Sequence, residues 1–214
     1  MTDVFQAVAA GDTDAVSDLL RSDRDCARAR NGDGITVVLW ALYVGQPALA
    51  KVLAHAKRDL DVFETAALGE TDRLGALLDT ETQLAYAHNA DGYAPLHLAA
   101  FFGWPTAAQR LLTAGADVDE IAQNSTAVAP LHSAAAGRHP DVVRVLLDAG
   151  ARVDVRQQGG WTPLHSAAQN ADAESVELLL AAGADALAVN DAGHTPADLA
   201  RGQVRDHLLR ASRP

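Results

Sequence analysis

Apolar residues along the chain fall into paired short blocks separated by polar stretches, and the pairs recur at a fixed interval. The first block of each pair reads PLHLAAFFG, PLHSAAAGR, PLHSAAQNA or PADLARGQ, beginning at Pro95, Pro130, Pro163 and Pro196. The second reads LLTAGADVD from 111, LLDAGARVD from 146 and LLLAAGADA from 178. Proline at the first helical position needs no N–H partner, so each first block predicts a helix starting there. Its alanine pair leaves that helix thin. The second block predicts a helix with one apolar face, as in Val142, Val143, Val145, Leu146 and Leu147, stopped by Gly115, Gly150 or Gly183, where a left-handed cap is cheap. The polar stretch before the next proline is too short for a third helix and suits a turn or short hairpin. No unit carries enough apolar surface to close a core alone, so each must bury a face against its neighbours.

The first 88 residues follow a longer repeat. Asp3-Val4-Phe5 matches Asp61-Val62-Phe63, Gly11 matches Gly69, Leu19-Leu20 matches Leu77-Leu78, Asp33-Gly34 matches Asp91-Gly92, and Pro47 matches Pro105. This predicts a duplicated pair of units, the first member lacking the hairpin and the Pro-Leu-His start. In the first copy Val37-Val38-Leu39 stands where Pro95-Leu96-His97 stands in the second, exchanging a polar network for apolar packing. The expected organisation is one domain over 1–214 with approximate units 2–30, 31–58, 59–88, 89–121, 122–155, 156–189 and 190–213. The outer units read as caps. Phe5 and Val8 face inward at one end, and Arg201, Arg205, Asp206, His207 and Arg210 meet water at the other.

The recurring Pro-Leu-His-x-Ala-Ala line resembles the ankyrin repeat, whose unit of about 33 residues carries Thr-Pro-Leu-His-x-Ala. The match is closest at Thr162-Pro163-Leu164-His165 with Ala167, Ala168 and Gly183. At Pro95 and Pro130, Ala94 and Ala129 replace the threonine, so the hydroxyl that would bond the histidine is missing. The resemblance implies an all-α solenoid of stacked helix-turn-helix units. It also implies that His97, His132 and His165 bond to turn backbone. Their spacing agrees: equivalent positions in adjacent units lie roughly 8 to 10 Å apart, too far to share a zinc ion whose ligands sit at about 2 Å.

Composition narrows the function. Of 214 residues, 49% are apolar and 21% charged, with a net charge of −11. That charge repels phosphate backbones and anionic lipids unless one face is locally basic, and no basic run is evident in the sequence. Nucleic acid and membrane are therefore not the expected partners. The single Cys26, the absence of a signal-peptide pattern and the absence of a long apolar run lead us to expect a cytoplasmic protein. The Arg-rich, Lys-poor bias fits a bacterial source. Phosphate loops, zinc-protease and serine-hydrolase motifs and EF-hand spacings are absent, so no enzyme activity, metal or cofactor is expected. The acidic run Asp117 to Glu120 lacks a glycine-centred ligand loop and reads as a solvated turn.

Surface is what remains. In the family, the residues that meet a partner lie at loop tips and at the end of the first helix on the concave side. The resemblance carries these over to Tyr43, Tyr93, Phe101, Phe102, Trp161, Gln169 and His194, with Ile35, Val44, Val128, Ala136 and Asn170 among them. The segment 122–129 is longer than its neighbours, and insertions in solenoids often fall on the binding face. Gln123 and Asn124 are therefore expected to project there. The aromatic pair admits two placements, an exposed recognition stripe or an inward packing that fills the gap of the hairpin-less third unit. The expected function is a protein-interaction module or scaffold, monomeric, whose acidic groups favour a partner with basic surface. The alternatives are a small-molecule or peptide-binding array with a closed pocket at the stripe, or a regulatory subunit of an enzyme.

Overall fold

The computed structural model describes residues 3–212. The expected unit edges at residues 2 and 213 lie outside them. Among the described residues there are fourteen α-helices in consecutive pairs: α1 (Val4–Ala9) with α2 (Thr13–Ser22), α3 (Val37–Tyr43) with α4 (Pro47–Lys57), α5 (Val62–Leu68) with α6 (Thr71–Thr80), and α7 (Pro95–Phe101) with α8 (Pro105–Thr113). Then follow α9 (Pro130–Gly137) with α10 (Pro140–Asp148), α11 (Pro163–Gln169) with α12 (Ala173–Ala181), and α13 (Pro196–Leu199) with α14 (Gly202–Ala211). The architecture is an all-α repeat solenoid. Prolines 95, 130, 163 and 196 each occupy the start of a first helix. The second helices α8, α10 and α12 are followed by left-handed glycines, Gly115, Gly150 and Gly183, the last with φ +91°.

First helices pack on first helices from α1 through α13, and second helices on second helices, with one interruption: α4 and α6 make little contact. Leu96, Leu111, Leu131, Leu146, Leu164 and Leu179 are buried in one core running from Val62 to Leu208. A separate core joins Val4 through Leu60 with Leu68. Leu39, Ala67 and Leu98 form a small bridging cluster between them. The break coincides with the connection after α4, where no hairpin intervenes and Arg58 takes a left-handed φ of +69°.

The stretches expected to form turns or short hairpins are turns. Arg30 and Thr36 make an isolated antiparallel bridge, and no strand is present among the described residues. The N-terminal cap packs as its pattern predicts, with Val8 fully buried and Phe5 edge-on to Trp40 at 6.3 Å between ring centres. At the other end Arg201, Arg205, Asp206 and Arg210 are exposed.

Candidate functional site

The three equivalent histidines link each unit to the next. Nδ1 of His97, His132 and His165 accepts the N–H of Ala94, Ala129 and Thr162, each at 3.2 Å. A nitrogen that accepts an N–H carries no proton, so Nε2 holds it. Nε2 then donates to the carbonyls of Val128, Trp161 and His194 in the following loops, at 3.0, 3.1 and 3.1 Å. The Thr162 hydroxyl, 2.8 Å from His165 Nδ1, adds a contact that Ala94 and Ala129 cannot make. The backbone bond survives without it. Burial disfavours the charged ring and outweighs these bonds, pushing His97 and His132 down to about 4 from the ordinary 6.5, and His165 down as well.

The third pair has no such histidine. Asp61 and Glu64 form a reciprocal capping box at the start of α5. Glu64 is fully buried and is met by Lys57 Nζ at 2.9 and 2.7 Å to its two oxygens. The sequence reading missed this ion pair. Its only local signal was an acidic residue three positions after Asp61.

The aromatic side chains separate into two groups. Tyr43, Tyr93 and Phe102 are half-buried against Leu39, Ala67 and Leu98. Tyr43 from the second pair and Phe102 from the fourth stack at 6.2 Å with planes 14° apart, reaching across α5 between them. Phe102 thus takes the gap-filling placement. Phe101 stands edge-on to it at 5.2 Å and is 44% exposed. Trp161 does not join this group; its half-buried ring leans on His165 at 5.9 Å, as Tyr93 leans on His97 at 5.9 Å. Gln169 and His194 are exposed. On the opposite side of α7, Trp104 donates its indole N–H to the Ala67 carbonyl at 2.8 Å and covers Gly69.

Asn124 in the inserted segment does not project, contrary to the expectation. Its amide donates to the Asp91 carbonyl at 2.7 Å while its oxygen accepts the Thr126 N–H at 3.0 Å, so the side chain splices neighbouring loops. Gln123 uses its backbone N–H on the Gly92 carbonyl and leaves its side chain exposed. The acidic run is likewise engaged: Asp119 accepts the backbone and side-chain N–H of Arg152, and Glu120 meets His88 at 3.1 Å. Among the described residues no group of three or more His, Cys, Asp or Glu side chains is arranged to hold a metal. No helix there is long and apolar enough to cross a membrane.

Beside α5 a cleft of about 150 Å³ opens, lined in part by Ile35, Asp61, Phe63, Asn89 and Asp91. One carboxylate oxygen of Asp91 is buried without a hydrogen-bond partner among the described residues.

A family model described as ankyrin repeats, three copies, matches residues 62–157 and again 96–191, together well over half of the chain. The chain belongs to the ankyrin-repeat family. A search of curated proteins gave no match. Ankyrin repeats generally serve as protein–protein interaction modules and are typically non-enzymatic binding scaffolds.

Proposed function

We propose that this ankyrin-repeat protein binds a partner protein through the concave face, with Phe101, Phe102, Tyr43 and Tyr93 at the centre of contact. The whole of 1–214 is read as one array, including the outer helix pairs. The observation that carries the reading is Phe101, a large apolar ring 44% exposed beside a preformed Tyr43–Phe102 stack. Aromatic anchors held in advance by packing lose little conformational freedom on binding and dominate interface energetics. Trp161, Gln123, Gln169 and His194 are assigned to the rim, and Asn124 to holding the loops.

The net charge of −11 supports a partner with a basic surface. The cleft volume of about 150 Å³ is below the several hundred Å³ usual for small-molecule sites, which favours a protein over a metabolite. The test is partner affinity with Phe101→Ala, which touches neither core. A loss of about 1–2 kcal/mol, roughly five- to thirtyfold, at unchanged thermal unfolding is expected. Unchanged affinity refutes the aromatic centre.

A further inference from the structure

The interruption between α4 and α6 opens a groove on the second-helix side, away from the aromatic face. It has a volume of about 490 Å³ and is lined by Lys51, His55, Arg58, Leu68, Glu70 and Arg73. A second cleft of about 390 Å³ adjoins it, sharing Arg58 and Arg73 and adding Arg24, Arg28 and Lys57 together with the carboxylates of Asp25 and Asp59. No run of basic residues announces this patch, and the expectation of no locally basic face is corrected here.

Three of these charges are not spent internally. The chain holds 28 acidic against 17 basic residues, so acids are in excess for every cation. Yet Lys51, Arg58 and Arg73 form no ion pair with any described residue. Elsewhere in the two clefts Arg28 pairs with Asp25 and Asp59, Lys57 with buried Glu64, and Arg24 donates to the Ala56 carbonyl. Glu70 is the one carboxylate that lines the first groove.

We infer that these adjoining clefts are a second interaction surface, taking an extended acidic segment of a polypeptide. Like charges held together on a net-negative molecule repel one another, and an anionic occupant relieves that repulsion. Two open clefts joined at Arg58 and Arg73 fit an extended chain with successive carboxylates better than a single small anion, which calls for enclosure. Nucleic acid is disfavoured because its phosphates beyond the patch would meet the net negative remainder of the surface.

The test uses the full chain and a fluorescein-labelled peptide of ten alternating Glu and Gly residues, followed by polarisation at 50 mM and 300 mM salt. Binding at low salt, weakened by added salt and by roughly tenfold in Lys51→Ala/Arg73→Ala, is expected, as two exposed charge pairs of about 0.7 kcal/mol each would give. Phe101→Ala should leave it unchanged, which separates this surface from the aromatic one. Neither Lys51 nor Arg73 is ion-paired, and equal thermal unfolding of the double variant checks the fold. If that variant unfolds early, Lys51→Gln and Arg73→Gln singly must each weaken binding. Three results overturn the inference: no binding of the peptide, binding indifferent to these substitutions, or displacement by inorganic phosphate or single-stranded DNA at lower concentration than by unlabelled peptide.

Discussion

Acidification should loosen the histidine ladder by an amount that follows from its burial. Folded His97 and His132 release their protons at about 4, against 6.5 for the free ring. The unfolded chain therefore binds more protons between those values, so stability is complete above about 6.5 and falls as pH drops toward 4. At pH 5 each ring costs about 2 kcal/mol relative to pH 7.5, about 4 kcal/mol for the pair. That is a large part of the 5–15 kcal/mol typical of a folded domain. An opposing effect must be separated: a chain of net charge −11 sheds self-repulsion as pH approaches its isoelectric point of 5.0. The control is His97→Gln/His132→Gln. Glutamine can accept the Ala94 and Ala129 N–H from the same helical position, and it does not titrate. The variant loses the bonds to Val128 and Trp161, so it starts less stable at pH 7.5. Urea unfolding of both proteins at pH 7.5 and 5 should show their gap closing by about 4 kcal/mol. Imidazole NMR should keep both rings neutral with the proton on Nε2 at pH 6. Parallel stability profiles, or rings that titrate near 6.5, would refute the reasoning.

Two further perturbations test the joint between the second and third pairs. Lys57→Met strands the buried Glu64 carboxylate with a single backbone donor, Asp61 N at 3.0 Å, and should cost about 3–5 kcal/mol by chemical unfolding, much of it recovered in Lys57→Met/Glu64→Gln; equal losses in single and double variants would contradict a coupled pair. Gly69→Ala places a methyl 2.2 Å from the Trp104 ring at φ +72°, so its destabilisation should shrink in a Trp104→Ala background; strictly additive melting shifts would show that the indole is not the obstacle.

Much of the fold was legible because its residues obey local rules that recur. Pro95, Pro130, Pro163 and Pro196 start helices and Gly183 ends one through backbone geometry that holds whatever the neighbours do. The missing threonine hydroxyl at Ala94 and Ala129 was also readable, but not that a backbone N–H already satisfies Nδ1 there. The candidate site was legible only as a set of positions. Phe101 and Phe102 are adjacent in sequence, and no local signal says which one turns toward Tyr43, fifty-nine positions earlier. Asn124 looks like any loop polar residue until Asp91 from the neighbouring loop supplies its acceptor. The basic groove was illegible for a related reason: Lys51 and Arg58 belong to α4 and its C-terminal cap, but Arg73 lies on α6 and meets them only through the stacking of units.

These features have a common origin in the third pair. An array held by nearest-neighbour contacts is weakest where adjacent units bury least against each other. At α5, as at α1 and α3, the chain lacks the Pro-Leu-His start, and here α4 and α6 make little contact. On the first-helix side, the thin end of α5 (Ala66, Ala67, Leu68) leaves room that Tyr43 and Phe102 close by stacking over it. Beneath, the Lys57–Glu64 pair and the Trp104 bond to Ala67 stand in for the histidine link. On the second-helix side a groove stays open, and Lys51, Arg58 and Arg73 there form no ion pair among the described residues. Both candidate surfaces therefore border the same weak contact between units, the aromatic bridge on one side of α5 and the basic groove on the other.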